Sequence, residues 1–281
     1  MSAVTTDIPR PPGRDLAFDA ILAVLRERTG IDFTRYRLST VTRRVLNRMM
    51  SVGAGSFEQY LHTLRTNDHE PLRLLERVTI KVSRFYRNQI TFDALRANVL
   101  PELAHAAAGA PLRIWSVGCG CGEEPYTLAM LLEEAGLAGE IEATDIDPSA
   151  LDAARVALYP RAALAELPAE LEERYCERVG ERVTVNEAVR GRVRFTRHDL
   201  MAAVPHDRAP FDLVCCRNVL IYFERTAQER AMTCVRRTVR SGGYLCLGEA
   251  EWPLPAVPGR LEALSHKARI FRVLDAYEGA R

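Results

Sequence analysis

The chain has 281 residues, enough for a full catalytic domain and a smaller companion, and its composition of 47% hydrophobic and 27% charged residues is that of an ordinary folded protein. A formal net charge of +1 excludes a strong overall field toward nucleic acid or anionic membrane, so any electrostatic partner preference must be local. No apolar stretch approaches the ~20 residues that span a bilayer, and the proline-rich lead from Met1 to Gly13 has no hydrophobic signal region, so a cytoplasmic protein is expected. The seven cysteines are odd in number and mostly sit in apolar runs such as Leu213-Val214-Cys215-Cys216, as small buried thiols do. Cys119 and Cys121 form a C-x-C pair with no second pair at ligand spacing, and no metal is expected.

After a flexible lead over residues 1–13, residues 14–98 read as a helical domain with no alternating strand pattern. Within it Leu38, Val41, Val45, Leu46 and Met49 recur at helical spacing, while Arg37, Arg44 and Arg48 fall on another face, joined nearby by Arg35 and Arg43. No acid lies between Phe33 and Phe57. This is either a solvated charged surface or a face that docks an acidic protein or, less readily, phosphates. Residues 99–111 read as a linker.

From Leu112 to the end at 281 the pattern changes to apolar strands alternating with helices. Strands are expected at Arg113 to Val117, Ile141 to Thr144, Val193 to Thr196, Phe211 to Cys215 and Gly243 to Leu247, with a helix through Leu132. That is an α/β fold, a mostly parallel sheet with helices on both faces. A final run from Ile270 to Leu274 closes the edge. Near residues 168–194 the repeat is interrupted by Arg182-Val183-Thr184-Val185 and Gly191-Arg192-Val193, which suggests a small inserted antiparallel β element.

The most informative stretch is Val117-Gly118-Cys119-Gly120-Cys121-Gly122-Glu123-Glu124-Pro125-Tyr126, where a strand runs into three alternate glycines and then a helix. Glycine permits a tight turn and close approach of a ligand to the backbone, which many nucleotide sites share. The dinucleotide fingerprint G-x-G-x-x-G, counted from Gly118, meets Glu123 at its third glycine, and Glu124 follows. Two acids at that helix start oppose a pyrophosphate, and the missing G-K-[ST] excludes a P-loop. They suit the helix dipole, and a carboxylate there can attract the ammonium or sulfonium of S-adenosylmethionine. Asp145 in Thr144-Asp145-Ile146-Asp147 ends the next strand where ribose hydroxyls are bound in such folds, while Asp147, before Pro148, reads as a helix cap. His198-Asp199-Leu200, at the end of a further strand, can supply polar and apolar contacts to adenine.

Cys216-Arg217-Asn218-Val219-Leu220-Ile221-Tyr222-Phe223 then puts polar groups at a strand's C-terminal end. Together with G-C-G-C-G-E-E-P-Y, T-D-I-D and the upstream Val78-Thr79-Ile80-Lys81-Val82-Ser83-Arg84-Phe85-Tyr86-Arg87, it resembles the chemotaxis receptor methyltransferase (CheR) family over roughly Phe18 to Leu274. The resemblance implies a class I S-adenosylmethionine-dependent methyltransferase domain, Rossmann-like, with an all-helical N-terminal domain and a small β subdomain. It implies cofactor contacts from Ser83, Arg87, Gly118, Glu124, Asp145, Asp199, Leu200, Arg217 and Asn218, and from Lys81, where the family often has Asn. Arg87 and Tyr222 match residues placed near the transferred methyl, and Arg37, Arg43, Arg44 and Arg48 match the basic helix.

The implied reaction is esterification of glutamate side chains on a chemoreceptor or receptor-like coiled-coil signalling protein, with S-adenosyl-L-homocysteine as product. A glutamate of ordinary pKa ~4.3 is already ionised at neutral pH and attacks a sulfonium methyl without a general base. Two rivals remain. A nucleic-acid methyltransferase would use the arginines on phosphate, but N-P-P-Y is absent after the fourth strand and Cys215-Cys216 lacks the Pro-Cys context of a cytosine enzyme. A non-catalytic module that senses the cofactor is the other. The β insertion is shorter and more basic than in relatives that grip a receptor's terminal peptide, carrying Arg178, Arg182, Arg190, Arg192 and Arg194. Substrate is therefore expected to be found without that tether, and neither nucleic-acid binding nor membrane insertion is expected.

Overall fold

The computed structural model describes residues 15–79, 83–201, 210–257 and 259–275, and the chain divides into two compact units, Met1–Ile80 and Lys81–Arg281. In the first unit α1 (Leu16–Thr29) starts where the Asp15 carboxylate accepts the N–H groups of Ala17 and Phe18, and it ends at Gly30, whose φ of 79° suits a glycine. It is followed by α2 (Leu38–Ser51), α3 (Phe57–Thr66) and α4 (Glu70–Val78). Phe18, Ile21, Leu25, Val41, Val45, Tyr60, Leu64 and Leu74 are buried, the apolar stripe that helical spacing requires.

Arg48 departs from the exposed docking role expected of it. Its Nε and Nη2 donate to the two Glu70 oxygens at 2.7 and 2.6 Å, and Tyr60 Oη donates to the same carboxylate at 2.9 Å. Glu70 is buried; burial alone would raise its pKa, yet the bonds from Arg48 and Tyr60 hold it below the ordinary 4.5. Arg48 is the counter-ion of a buried acid, whereas Arg37 and Arg43 are exposed and Arg44 half-buried. Arg48→Met should therefore cost about 2–4 kcal/mol of this unit's stability by leaving a buried carboxylate unpaired, measurable by chemical denaturation; an unchanged midpoint would return Arg48 to the surface. Because the folded pKa of Glu70 is lowered, its contribution is complete above the unfolded value and is lost as pH falls through the folded one.

The helical domain ends earlier than residue 98. Helices α5 (Gln89–Ala94) and α6 (Leu100–Ala107), joined by a π-turn over Leu95–Val99, lie in the second unit, where Phe92, Leu95, Val99, Leu100 and Leu103 share its core. Much of the expected linker is thus helix. Periodicity identifies an amphipathic helix but not the core its apolar face joins.

That core is built on β1 (Leu112–Val117), β2 (Gly139–Asp145), β6 (Val193–Arg197), β7 (Phe211–Cys216), β8 (Val239–Leu247), β9 (Leu261–Ser265) and β10 (Ile270–Val273), interleaved with α7 (Glu123–Glu134), α8 (Pro148–Val156) and α11 (Arg225–Thr238). Among the described residues the strands form one sheet in the order β6-β2-β1-β7-β8-β10-β9, parallel from β6 to β8 and antiparallel at β10 and β9. The order reverses between β1 and β7. In a doubly wound sheet this switch point opens a crevice beyond the strands' carboxyl ends, where both Gly118-Cys119-Gly120 and Arg217-Asn218 lie.

The inserted sheet is antiparallel, as expected, but starts earlier: β3 (Leu158–Pro160), β4 (Cys176–Val179) and β5 (Arg182–Val185) pair in the order β3-β5-β4, beside α9 (Ala169–Tyr175) and α10 (Glu187–Arg190). Gly191-Arg192-Val193 is not part of it, since Val193 opens β6 against Ile141. Leu158-Tyr159-Pro160 is too short to show alternation, so the sequence concealed this strand. Cys119, Cys215, Cys216 and Cys246 are buried, and none of the seven cysteines is in a disulfide. Among the described residues no helix is long and apolar enough to cross a membrane.

Candidate functional site

All of the following lies in the second unit. Gly118, Gly120 and Gly122 take φ values of 65°, 56° and 96°, which explains a glycine at every second position better than composition does. A Cβ on Gly118 would stand 2.4 Å from Val219 Cγ2, and one on Gly122 would meet Ala154 and the Tyr159 hydroxyl at 3.0 Å. Nothing lies within 4 Å of the Cβ position of Gly120, so the loop is packed at both ends and open in the middle.

Asp145 fixes the open part. Its Oδ2 accepts the N–H of Gly120 at 2.8 Å and its Oδ1 that of Asp147 at 2.9 Å. Burial raises its pKa against these backbone bonds. A carboxylate has about four lone-pair sites, so capacity for ribose hydroxyls remains. Asp147 caps α8 through Ser149 and Ala150. Beyond β6 the His198 N–H donates to Asp145 O at 3.0 Å and its ring lies 6.1 Å from that of Trp115; burial lowers the imidazole pKa and keeps it neutral. Asp199 accepts the Met201 N–H at 2.8 Å, and Leu200 is buried.

On the other side of the switch point the buried Arg217 pairs with Glu124, which is 14% exposed. Glu124 Oε2 accepts from Arg217 Nη1 at 3.0 Å and Oε1 from Ser116 Oγ at 2.7 Å. Arg217 Nη2 donates to Arg87 O at 2.7 Å and Asn88 Oδ1 at 3.0 Å, and the guanidinium carbon lies 5.0 Å from the Phe92 ring centroid. Arg217 therefore ties α7 and the end of β7 to the Arg87 turn. Tyr86 and Asn88 have φ of 58° and 65°, left-handed values that persist only where surroundings enforce them. The surroundings do so: Thr127 Oγ1 accepts the Tyr86 N–H at 3.1 Å, Glu166 Oε2 that of Asn88 at 3.0 Å, and Glu249 Oε2 accepts from Asn88 Nδ2 at 3.0 Å.

Burial pushes the Glu124 pKa above the ordinary 4.5, with Glu251 adding to the rise and Arg217 and Ser116 opposing it. Glu123 is buried, its pKa raised by that burial, and it receives a hydrogen bond from Ser83; its Oε2 and Arg217 Nε have no partner among the described residues. Arg87, Asn218 and Tyr222 are half-buried, Tyr222 on a short 3-10 turn over Leu220–Tyr222. Lys81 lies outside the described residues. Arg37, Arg43, Arg44 and Arg48 belong to the other unit.

Sequence reasoning missed Thr127, Glu166, Glu249 and above all Glu251. Each is an ordinary acid or hydroxyl in its local context, and only the fold shows which backbone groups it serves.

The arrangement suits S-adenosylmethionine: an open glycine turn that a Cβ elsewhere in the loop would disturb, a carboxylate at the end of β2, and a second acid beside the turn in place of phosphate-binding groups. Comparison with known proteins agrees. Residues 16–79 match the family model described as the CheR methyltransferase all-alpha domain, and residues 81–270 match that of the CheR methyltransferase SAM binding domain. A chemotaxis protein methyltransferase of Listeria monocytogenes is 33% identical over 230 residues, covering 81% of this chain and 87% of that protein. A probable biofilm formation methyltransferase, WspC, of Pseudomonas putida is 34% identical over 239 residues, 84% of this chain and 56% of that one. An uncharacterized 104.1 kDa protein of Rhodobacter capsulatus is 37% identical over 266 residues, 92% of this chain but 28% of its own length. The chain belongs to the CheR family of S-adenosylmethionine-dependent methyltransferases.

Proposed function

We propose that this methyltransferase esterifies glutamate side chains on a chemoreceptor or receptor-like coiled-coil signalling protein in the cytoplasm. The observation that carries the reading is the Glu124–Arg217–Arg87 connection at the switch point, together with relatives named chemotaxis protein methyltransferase. When bound, S-adenosylmethionine would supply a sulfonium methyl whose carbon bonds to a glutamate carboxylate oxygen as the carbon–sulfur bond breaks, leaving a methyl ester and S-adenosylhomocysteine.

The chain's residues then divide the work. Glu124 and Asp145 hold the cofactor's ammonium and ribose; Ser83, Gly118, Asp199, Leu200 and Asn218 complete its pocket. Arg217 favours the ionised form of Glu124 against the rise that burial causes, and fixes the Arg87 carbonyl. Arg87 orients the incoming glutamate by charge and Tyr222 by its hydroxyl. The substrate carboxylate needs no base, so the catalytic task is in-line positioning in a partly desolvated cleft. Arg37, Arg43 and Arg44 recognise acidic receptor surface. Incubation with receptor signalling domains should add a methyl to specific glutamates and lose it when these are changed to alanine; label in RNA or DNA instead would overturn the proposal. Deleting the receptor's terminal peptide should leave methylation intact, because the basic insertion is not read as a tether site.

The Glu124 carboxylate must be ionised to hold an ammonium. Affinity for S-adenosylhomocysteine should therefore fall as pH drops through its raised pKa, above the ordinary 4.5. Glu124→Gln should bind about tenfold more weakly at neutral pH, the scale of one charge-assisted bond, and lose that pH dependence. Calorimetry at stepped pH checks both; a slope that survives the substitution would assign the titration elsewhere.

A further inference from the structure

Glu251 lies outside every motif, just beyond β8, and is only 3% exposed. Its Oε2 accepts the N–H groups of Asn218 at 2.8 Å and Gly248 at 2.7 Å; its Oε1 accepts those of Val219 at 2.9 Å, Leu220 at 2.7 Å and Ile221 at 3.3 Å. One carboxylate thus gathers the backbone after β7 and after β8. Buried N–H groups need partners, and an ionised acceptor is the strongest available. Asn218 sits at φ 60°, a left-handed conformation that these bonds hold in place.

The neighbouring glycines show how closely this cradle is built. A Cβ on Gly248 would stand 2.5 Å from Glu251 Oε2 and 2.7 Å from the Asn218 nitrogen. The turn Glu251 holds is also the one whose Val219 lies against Gly118, the first glycine of the cofactor loop. The carboxylate therefore fixes Asn218 and the turn bearing Tyr222 relative to that loop, although it stands at the end of another strand.

We propose that Glu251 is a positioning residue for methyl transfer, setting the Asn218–Tyr222 turn against the glycine loop. This deepens the function proposed above and rests on it for the turnover measurement. Glu251→Gln keeps the shape but turns an amide N–H₂ toward backbone donors; Glu251→Asp keeps the charge on a shorter stem. Val273→Ala, a buried position on β10 level with the start of β7 and away from the parallel strands' carboxyl ends, serves as a destabilised control.

In Glu251→Gln, kcat on a receptor domain should fall about 10- to 100-fold, the scale of an ångström-sized misplacement, and S-adenosylhomocysteine should bind about tenfold more weakly. The receptor KM should change little. Glu251→Asp should recover part of both losses, and the control should show neither at a temperature well below its melting point. Turnover and cofactor affinity within about threefold of wild type, roughly the spread expected of a neutral surface change, or losses matched by the control, would overturn the proposal. If Glu251→Gln does not fold, Glu251→Asp and Gly248→Ala decide by the same readings. If the wild type methylates no receptor domain, the functional reading fails separately, and cofactor affinity alone decides the role of Glu251.

Discussion

Arg217→Met is expected to lower kcat/KM by about 10³-fold and folding stability by about 3–5 kcal/mol, the larger consequence of removing one partner of a buried ion pair. The side chain is 2% exposed and meets three groups at once: Glu124 on α7, the Arg87 carbonyl and the Asn88 side chain. Methionine can fill the space over Phe92 but leaves Glu124 without its cation, which raises its pKa further and weakens its hold on an ammonium. The Arg87 turn simultaneously loses two hydrogen bonds. The double variant Arg217→Met, Glu124→Gln separates the effects, since it removes the unpaired charge and should regain most of the stability without regaining activity. Denaturation and steady-state kinetics on both proteins check this. Recovery of turnover in the double variant would show that the pair serves only folding.

Arg87→Ala should reduce kcat by about 10²–10³-fold, the effect of deleting a group that acts on the reacting charge, with little change in melting temperature. The backbone carbonyl of Arg87, not its side chain, carries the bond to Arg217, so truncation leaves the turn anchored. Tyr222→Phe should cost less, about tenfold, because a neutral hydroxyl orients without supplying charge. Single-turnover methylation measures these effects with cofactor saturating. Near-normal rates would make Arg87 a surface arginine and Tyr222 an interior aromatic.

The sheet, its alternation with helices and the crevice were legible in the sequence, because strands buried on both faces read as apolar runs and three alternate glycines leave little conformational choice. The Asp147 cap was legible for a similar reason: an Asp before a proline at a helix start has one obvious use. What escaped was set by contacts distant in sequence. Arg48 carries the same local signal as Arg37 and Arg43, and only the fold brings Glu70 and Tyr60 to it. The helices α5 and α6 have no mark to show which core they join. Glu251 is one acid in Gly248-Glu249-Ala250-Glu251; its five N–H partners are gathered by the pairing of β8 beside β7.

Receptor signalling domains incubated with the protein and methyl-labelled S-adenosylmethionine should acquire label that mild alkali releases as volatile methanol and that maps to glutamate. Alkali-stable label, or none from a folded protein that binds S-adenosylhomocysteine and is offered the full receptor set, would overturn glutamate esterification and point to another acceptor.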